Sequence, residues 1–486
     1  MSFSSHTLIL KNDSTLWGCG INGSCELGLG DNNNRTTFTK IISDVKSVYC
    51  GSSHTLILKN DGTLWGCGYN EYGQLGLGDT SNRKVFAQIT TNTDNIKSIY
   101  CGAHHTFILK NDGTLYGCGA NGSGQLGLGD TDNRTTFTII GINTNDIKSI
   151  CCGGSHTIIL KNDDTLWGTG YNGDGELGLG DTTNRYTFTQ IITNADNMKS
   201  IYCSYYHTLI LKNNGTLWGC GRNDHGRLGL GDDTYRYSFT QITTNADNIK
   251  SVYCGAARTL ILKNDGTLWG AGYNGEGQLG LGDTYDRYTF TQITNDVKLV
   301  YCGWYHTIIL KNDDTLYTCG HNSYGQLGLG DTSNRYTFTQ ITTNANNIKC
   351  FANNYSNLPS IIKIYDTKIG YVKTLDTNNF RNIPTDSIKT LKVLYSKPEN
   401  TLLSCIISFD EGQTWKTFDG TNWITISDIS PENIILNGME VSGLNSLDNK
   451  KLISGGFTGD LDFKIAMKTN DTSKTPSITK IYIEYK

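Results

Sequence analysis

The first 353 residues are built from short apolar runs, mostly five or six residues long, set between polar and glycine-rich stretches. One cycle reads "KSVYC" (46–50), "HTLIL" (54–58), "TLWGCG" (63–68), a loop "YNEYGQLGLGDTSN" (69–82) and "RKVFAQI" (83–89). The runs are apolar at nearly every position instead of alternately, the pattern of strands covered on both faces. "KNDG" (59–62), between the second and third runs, predicts a tight hairpin, because Asn and Gly accept the positive φ such a turn needs. Each cycle therefore predicts a four-stranded antiparallel unit.

The cycle returns seven times. His-Thr marks six units at His6, His54, His105, His156, His207 and His306, and Arg258 fills the register of the sixth unit. Successive markers stand 48 or 51 residues apart, a period that signals propeller blades. The first unit lacks its "KSVYC" run, while a spare run, "NIKCFA" (347–352), follows the seventh. The late run is predicted to complete the first blade and close the ring, removing exposed strand edges. All five prolines lie after residue 354, where runs such as "IKTLKVLY" and "TLLSCIISF" read as further strands. The predicted fold is all-β: a seven-bladed β-propeller over residues 1–353, closed by a C-terminal strand, then a smaller β-sandwich domain over 354–486.

Formal net charge is −4, with 26 Lys+Arg against 30 Asp+Glu in the repeats, so the basic field that nucleic acid binding requires is missing. No run of 18 apolar residues occurs, and no membrane insertion is expected. The start, "MSFSSHTLIL", has no basic segment ahead of an apolar run, so no secretory signal is expected. Location stays open between cytoplasmic and released or virion-associated. Most of the 15 cysteines recur at two repeat positions, one of which holds Thr169 and Ala271 in other units. Small buried thiols fit that pattern. Disulfides fit an odd count poorly, and no C-x-x-C spacing for zinc occurs. No cofactor is expected.

The motifs "CGxxHTLIL" and "NDGTLWGxGxNxxGQLGLGD" resemble those of the regulator of chromosome condensation repeat family. The resemblance implies a seven-bladed propeller. It implies less about function, since one fold hosts many tasks; the family includes a nucleotide exchange factor for a nuclear GTPase and a plant ultraviolet-B photoreceptor. Units of 48 or 51 residues leave no room for the exchange factor's inserted wedge, and only "GWYHT" (303–307) approaches the photoreceptor's tryptophan motif. Both specialised roles are disfavoured. Further on, "SFDEGQTW" (408–415) is similar to the Asp-box of sialidases, read here as a structural turn. Segments around it resemble modules of tail-associated proteins from phages of Gram-positive bacteria.

"GQLGLGDTSNR" (73–83) has the look of a phosphate-gripping loop. No Lys-Ser/Thr follows its glycines and no helix is predicted behind it, and its repetition marks it as architecture. Asp79 and Arg83 are expected to pair within the blade, with calcium on the Asp and Asn oxygens as the alternative. Ser53 and His54 are adjacent on a strand and point to opposite faces, so they form no nucleophile–base pair, and no enzyme is expected.

Recognition is sought where the repeats differ. The two positions ahead of His-Thr hold mostly small residues, but also His104, Tyr205, Tyr206, Trp304 and Tyr305. The sixth unit, with its alanines and Arg258, lies between the two aromatic pairs. An aromatic-walled hollow with a basic floor follows, suited to a sugar or an acidic peptide. The same aromatics would also serve to pack against the C-terminal domain. The turns after "GxN" carry Tyr72, Asp174, His225, Glu276 and Tyr324, a second candidate surface. The reading is a non-enzymatic recognition protein, most concretely a phage tail or tail-like receptor-binding component contacting a cell-surface glycan or protein. Homo-oligomer or particle assembly is assigned to the C-terminal domain. The alternatives are an intracellular protein-binding scaffold or GTPase-regulator-like propeller, and a secreted effector or adhesin.

Overall fold

In a computed structural model the chain divides into two compact units, Met1–Asn357 and Leu358–Lys486. The structure describes residues 5–142, 146–191, 198–344 and 346–352, and in the second unit the backbone of eight strands between Gly370 and Tyr485. Among the described residues no helix is long and apolar enough to cross a membrane.

The repeats form seven four-stranded antiparallel sheets. In blade 2 the strands are Val45–Cys50, His54–Lys59, Leu64–Gly68 and Arg83–Ile89, in that spatial order. The first strands of successive blades lie against one another round the axis. Burial peaks in the second strand: His54–Lys59 is buried almost end to end, Val45–Cys50 at the axis only in part, and Arg83–Ile89 is largely exposed or half-buried. Neighbouring blades cover both faces of the middle strands, which is why their sequence does not alternate. The apolar clusters accordingly span joints between blades. Leu8, Leu10 and Leu16 of blade 1 pack with Val48 and Ile57 of blade 2, and Ile9 and Phe38 of blade 1 pack with Ile308 and Leu310 of blade 7.

Ile348–Phe351 supplies the inner strand of blade 1 and runs antiparallel to His6–Lys11, with Leu10 opposite Cys350. The ring therefore closes as the complementary ends predict.

The glycine-rich loop is a second fastener between blades. Gly78 N–H donates to Thr135 O of blade 3 at 2.8 Å, and the equivalent bond recurs at every joint, through to Gly330 N–H on Thr36 O at 2.9 Å. Buried Asn70 sets the loop's shape: its Nδ2 donates to Asp79 O and its Oδ1 accepts from Leu75 N–H, both at 2.9 Å. Gly76 has φ 69°. A Cβ there would sit 2.5 Å from the Phe137 ring of the next blade, so glycine lets the loop lie flat on its neighbour. Arg83 Nη2 meets Asp79 Oδ2 at 2.5 Å, inside the loop. The loop is architecture, with its amides turned to the adjacent blade.

The 14 described cysteines are free thiols, and all but Cys350 are buried. Cys67 Sγ donates to Glu26 O at 3.4 Å, while Thr169, in the same register, donates to Gly124 O at 2.8 Å.

In the second unit, Gly370–Val372, Thr401–Ser408, Trp415–Phe418, Trp423–Ile426, Met439–Glu440 and Asp462–Thr469 join one sheet, and Ile388–Ser396 pairs with Ser477–Tyr485. The Asp-box turn, 409–414, lies outside the described residues, as does whatever would decide the expected β-sandwich.

Candidate functional site

Both sets of candidate residues share one end of the disc. His54 pairs with Gly68, so the loop entering the second strand and the turn leaving the third lie side by side, opposite the hairpins. We call this end the loop face, and the residues ahead of His-Thr the mouth loops.

A belt of hydrogen bonds underlies the face. Thr106 Oγ1 donates to Gln74 O at 2.8 Å, Thr157 Oγ1 to Gln125 O at 2.8 Å and Thr208 Oγ1 to Glu176 O at 2.7 Å, each across a joint. That engages the hydroxyl's one proton, so the imidazole of the preceding blade is the donor to the threonine. His54 Nε2 lies 3.2 Å from Thr106 Oγ1, His105 Nε2 3.0 Å from Thr157 Oγ1 and His156 Nε2 3.1 Å from Thr208 Oγ1. Burial keeps these rings neutral, pushing His54, His105 and His156 down to about 3 and His6 to about 4. Among the described residues no His, Cys, Asp and Glu group is placed to hold a metal ion.

Arg258 stands in the histidine register of blade 6 and is 1% exposed. Its guanidinium donates to Trp304 O at 2.8 Å, His306 O at 2.5 Å and Thr307 Oγ1 at 3.1 Å, all in blade 7. It therefore bolts two blades together beneath the face and does not form the expected basic floor. Trp304, at 7% exposed, is an anchor and not an open wall.

Above this layer the aromatics meet. Tyr205 packs on Tyr206 with centroids 4.6 Å apart, and edge-on against Trp304 at 4.8 Å. Trp304 meets Tyr305 at 6.1 Å, Tyr305 meets Tyr273 at 5.6 Å, and Tyr273 meets His225 at 4.9 Å. At the other end the Arg222 guanidinium lies 5.0 Å from the Tyr206 ring centre. Arg222 and His225 belong to one turn of blade 5 and both lie by Asp224, at 2.8 and 3.8 Å, so the series of seven side chains closes into a ring through that carboxylate. The mouth loop of blade 6, with the small Ala256 and Ala257, falls between the aromatic mouth loops of blades 5 and 7. Below, Arg227 donates from Nη1 to Ala256 O at 3.1 Å and pairs with Asp224. Asp224 also holds Arg222 at 2.8 Å, and His225 Nδ1 lies 2.7 Å from Asp286.

The second candidate surface is continuous with the first. His104 packs on Tyr72 at 5.5 Å and Tyr69 at 5.8 Å, and its burial pushes it down to about 4. Tyr324 packs on His321 at 5.8 Å. Glu276 accepts from Asn334 Nδ2 at 2.7 Å, and the Asp174 N–H donates to Glu176 Oε2 at 3.0 Å. Sequence reasoning passed over Arg222, Tyr273 and four rim tyrosines. Tyr186, Tyr237, Tyr288 and Tyr336 are 42–47% exposed at one outer-strand position of blades 4–7, where blades 1–3 carry Thr36, Lys84 and Thr135. That switch along a single repeat position was the available signal.

Charge is divided unevenly between the two ends. Sorted by strand end, the described residues place 16 acids against 11 bases on the loop face, and 13 aspartates against 15 lysines at the hairpin end. Burial pushes Glu26 up to about 7 and Glu176 to about 8. Even with both neutral, the loop face stays acidic.

A closed ring of seven blades, fastened by "GQLGLGD" loops and a His-Thr belt, defines a propeller of the RCC1 type. The chain belongs to the RCC1-like domain family, which matches residues 2–300 and 141–358. It is 32% identical over 201 residues to the ultraviolet-B receptor of Arabidopsis thaliana, covering 41% of this chain and 46% of the receptor. It is 36% identical over 135 residues to the X-linked retinitis pigmentosa GTPase regulator of Mus musculus, covering 27% of this chain and 14% of the regulator. The chain thus matches less than half the length of either relative. Yeast RCC1 (Prp20), solved with Kap60 bound, superposes with a TM-score of 0.62 at 20% identity, covering 71% of this chain and 86% of that one. That likeness concerns the fold.

Proposed function

We propose that the protein is a protein-binding propeller that grips a partner on its loop face, centred on the side-chain ring of blades 5 to 7. The observation that carries this reading is the ring itself. Of the seven mouth loops only those of blades 5 and 7 carry Tyr or Trp, and these meet one another and Tyr273 on the loop face; rigid tyrosines beside arginine are the usual anchors of protein interfaces. The names of two relatives point the same way: one is a GTPase regulator, and one was solved with a protein bound. The expected phage-tail role and cell-surface glycan draw no support from these relatives. Buried Arg258 also removes the feature that favoured an acidic ligand.

The test is affinity capture with the full chain, the double variant Tyr206→Ala/Tyr305→Ala, and a hairpin-end variant, Lys59→Glu/Lys161→Glu. The expected result is a partner held by the wild type and the hairpin-end variant, and weakened about tenfold or more by loss of the two tyrosines. Equal capture by all three, or a strong glycan-array signal that the tyrosine pair abolishes, overturns the reading. Small GTPases offered as prey separate a regulator-like role from a scaffold.

A further inference from the structure

We infer that the ring of blades 5 to 7 receives a cationic side chain, an arginine or lysine on an exposed segment of the partner protein. This rests on the protein-binding reading and adds the charge and chemistry of what is bound.

Three observations converge. First, the arginines of the glycine-rich loops are paired inside their own loops, and the loop face as a whole carries more acids than bases. Arg185, Arg236, Arg287 and Arg335 pair with Asp181, Asp232, Asp283 and Asp331 at 2.5–2.6 Å. Arg222 and Arg227 share Asp224, and Arg258 is engaged by main-chain oxygens below the surface. Among the described residues no Lys or Arg stands within ion-pair distance of Asp174 or Glu276, which border this sector. The excess charge offered to a partner is therefore negative, and an incoming cation meets complementary potential.

Second, the surface between these carboxylates is aromatic. Ring faces carry negative quadrupole density, so Tyr206, Tyr205, Tyr305 and Tyr273 attract a cation that a purely apolar wall would only desolvate.

Third, the protein already seats one guanidinium in this way. Arg222 lies 5.0 Å from the Tyr206 ring and 2.8 Å from Asp224. The opposite side of the ring has the aromatic Tyr273–Tyr305 pair, 5.6 Å apart, with Glu276 close by in sequence and, among the described residues, no lysine or arginine paired with it.

The test uses the full chain and four fluorescent decapeptides in which glycine alternates with arginine, lysine, glutamate or serine. Anisotropy should show the arginine and lysine peptides binding at least about tenfold more tightly than the glutamate and serine peptides, with affinity falling as salt rises. Two variants with unchanged melting temperature then separate the components. Tyr206→Leu/Tyr305→Leu removes the rings at similar bulk, and Asp174→Lys/Glu276→Lys reverses the border charge; each should weaken the arginine peptide about fivefold or more. Preference for the glutamate peptide or for a neutral oligosaccharide overturns the inference. So does arginine binding that survives loss of the tyrosines, which would mean diffuse attraction and no seat at the ring. If a natural partner is lost from the tyrosine variant while the four peptides bind alike, the charge inference fails and the protein-binding reading stands. If capture of that partner ignores the tyrosines, the underlying reading fails.

Discussion

Ile9 lies directly opposite Phe351 across two antiparallel strands, although the two residues come from opposite ends of the repeat array. Blade 1 is therefore a composite, and ring closure depends on this seam. Phe351 is 4% exposed and packs with Ile9, Tyr301 and Ile308. Phe351→Ala removes a core side chain at the joint of blades 1 and 7, and urea unfolding should show a loss of about 3 kcal/mol. Ending the chain before Asn347 should do more. It bares the edge of His6–Lys11, and concentration-dependent association on sizing should follow. A truncated chain that stays monomeric and melts like the wild type would mean that the ring holds without its seam.

Arg258 ties blade 6 to blade 7 by three hydrogen bonds from one side chain. Arg258→Ala removes the guanidinium from Trp304 O and His306 O, the latter keeping only the Gly303 N–H at 2.9 Å, and opens a void in a fully packed layer. The expected cost is about 3 kcal/mol, more than for an exposed arginine such as Arg83, where about 1 kcal/mol or less is expected. Similar small losses for Arg258→Ala and Arg83→Ala in denaturant titrations would contradict the buried placement.

How far the sequence could be read is clear from these two sites. The ring and its seam were legible because each blade writes out its own strands, and the missing first strand has a visible spare at residues 347–352. Arg258 was misjudged for a definable reason. Among small mouth-loop residues a lone cation looks exposed, yet its register is that of the belt histidines, which point into the joint. A repeat position keeps its direction whatever residue fills it, and a guanidinium simply reaches further than an imidazole. The two candidate surfaces were separated in the sequence by a strand and a hairpin, but pairing such as His54 with Gly68 folds them to one end. The ring through Tyr273 and His225 depends on side-chain reach between blades, which spacing alone does not encode.

The belt histidines make stability pH-dependent. Their folded values, about 3 for His54, His105 and His156 and about 4 for His6, lie below the ordinary imidazole value that applies once the chain unfolds. A depressed histidine favours the fold fully above that ordinary value, and the advantage is lost as pH falls toward the folded value. Each such ring should cost about 1.4 kcal/mol per pH unit in the window from about 6.5 down to about 4. Urea midpoints should therefore drop steeply between pH 7 and pH 5. His105→Gln, which retains a donor for Thr157, should show a shallower drop. Parallel curves for the two proteins would remove His105 from the titration.

Glu176 offers the opposite sign. Its Oε2 accepts the Asp174 N–H at 3.0 Å, while its buried Oε1 has no hydrogen-bond partner among the described residues. Burial raises this carboxyl to about 8, so the folded chain keeps a proton that the unfolded chain releases near the usual glutamate value. Burial thus costs nothing at low pH; a penalty grows as pH rises from about 4.5 and levels off near 8. Four other blades hold Gln74, Gln125, Gln278 and Gln326 in this register, and Gln74 Oε1 accepts the Tyr72 N–H at 3.1 Å in the same way. Glu176→Gln keeps that bond and discards the ionisable group. At pH 8 it should stabilise the propeller by on the order of 2 kcal/mol, and at pH 4 by almost nothing. Glu26→Gln should behave alike with a smaller gain, since Glu26 is raised only to about 7. Melting curves at the two pH values decide the matter. A gain of equal size at both would point to packing, and a loss at pH 8 would mean that the carboxylate has a partner at the joint after all.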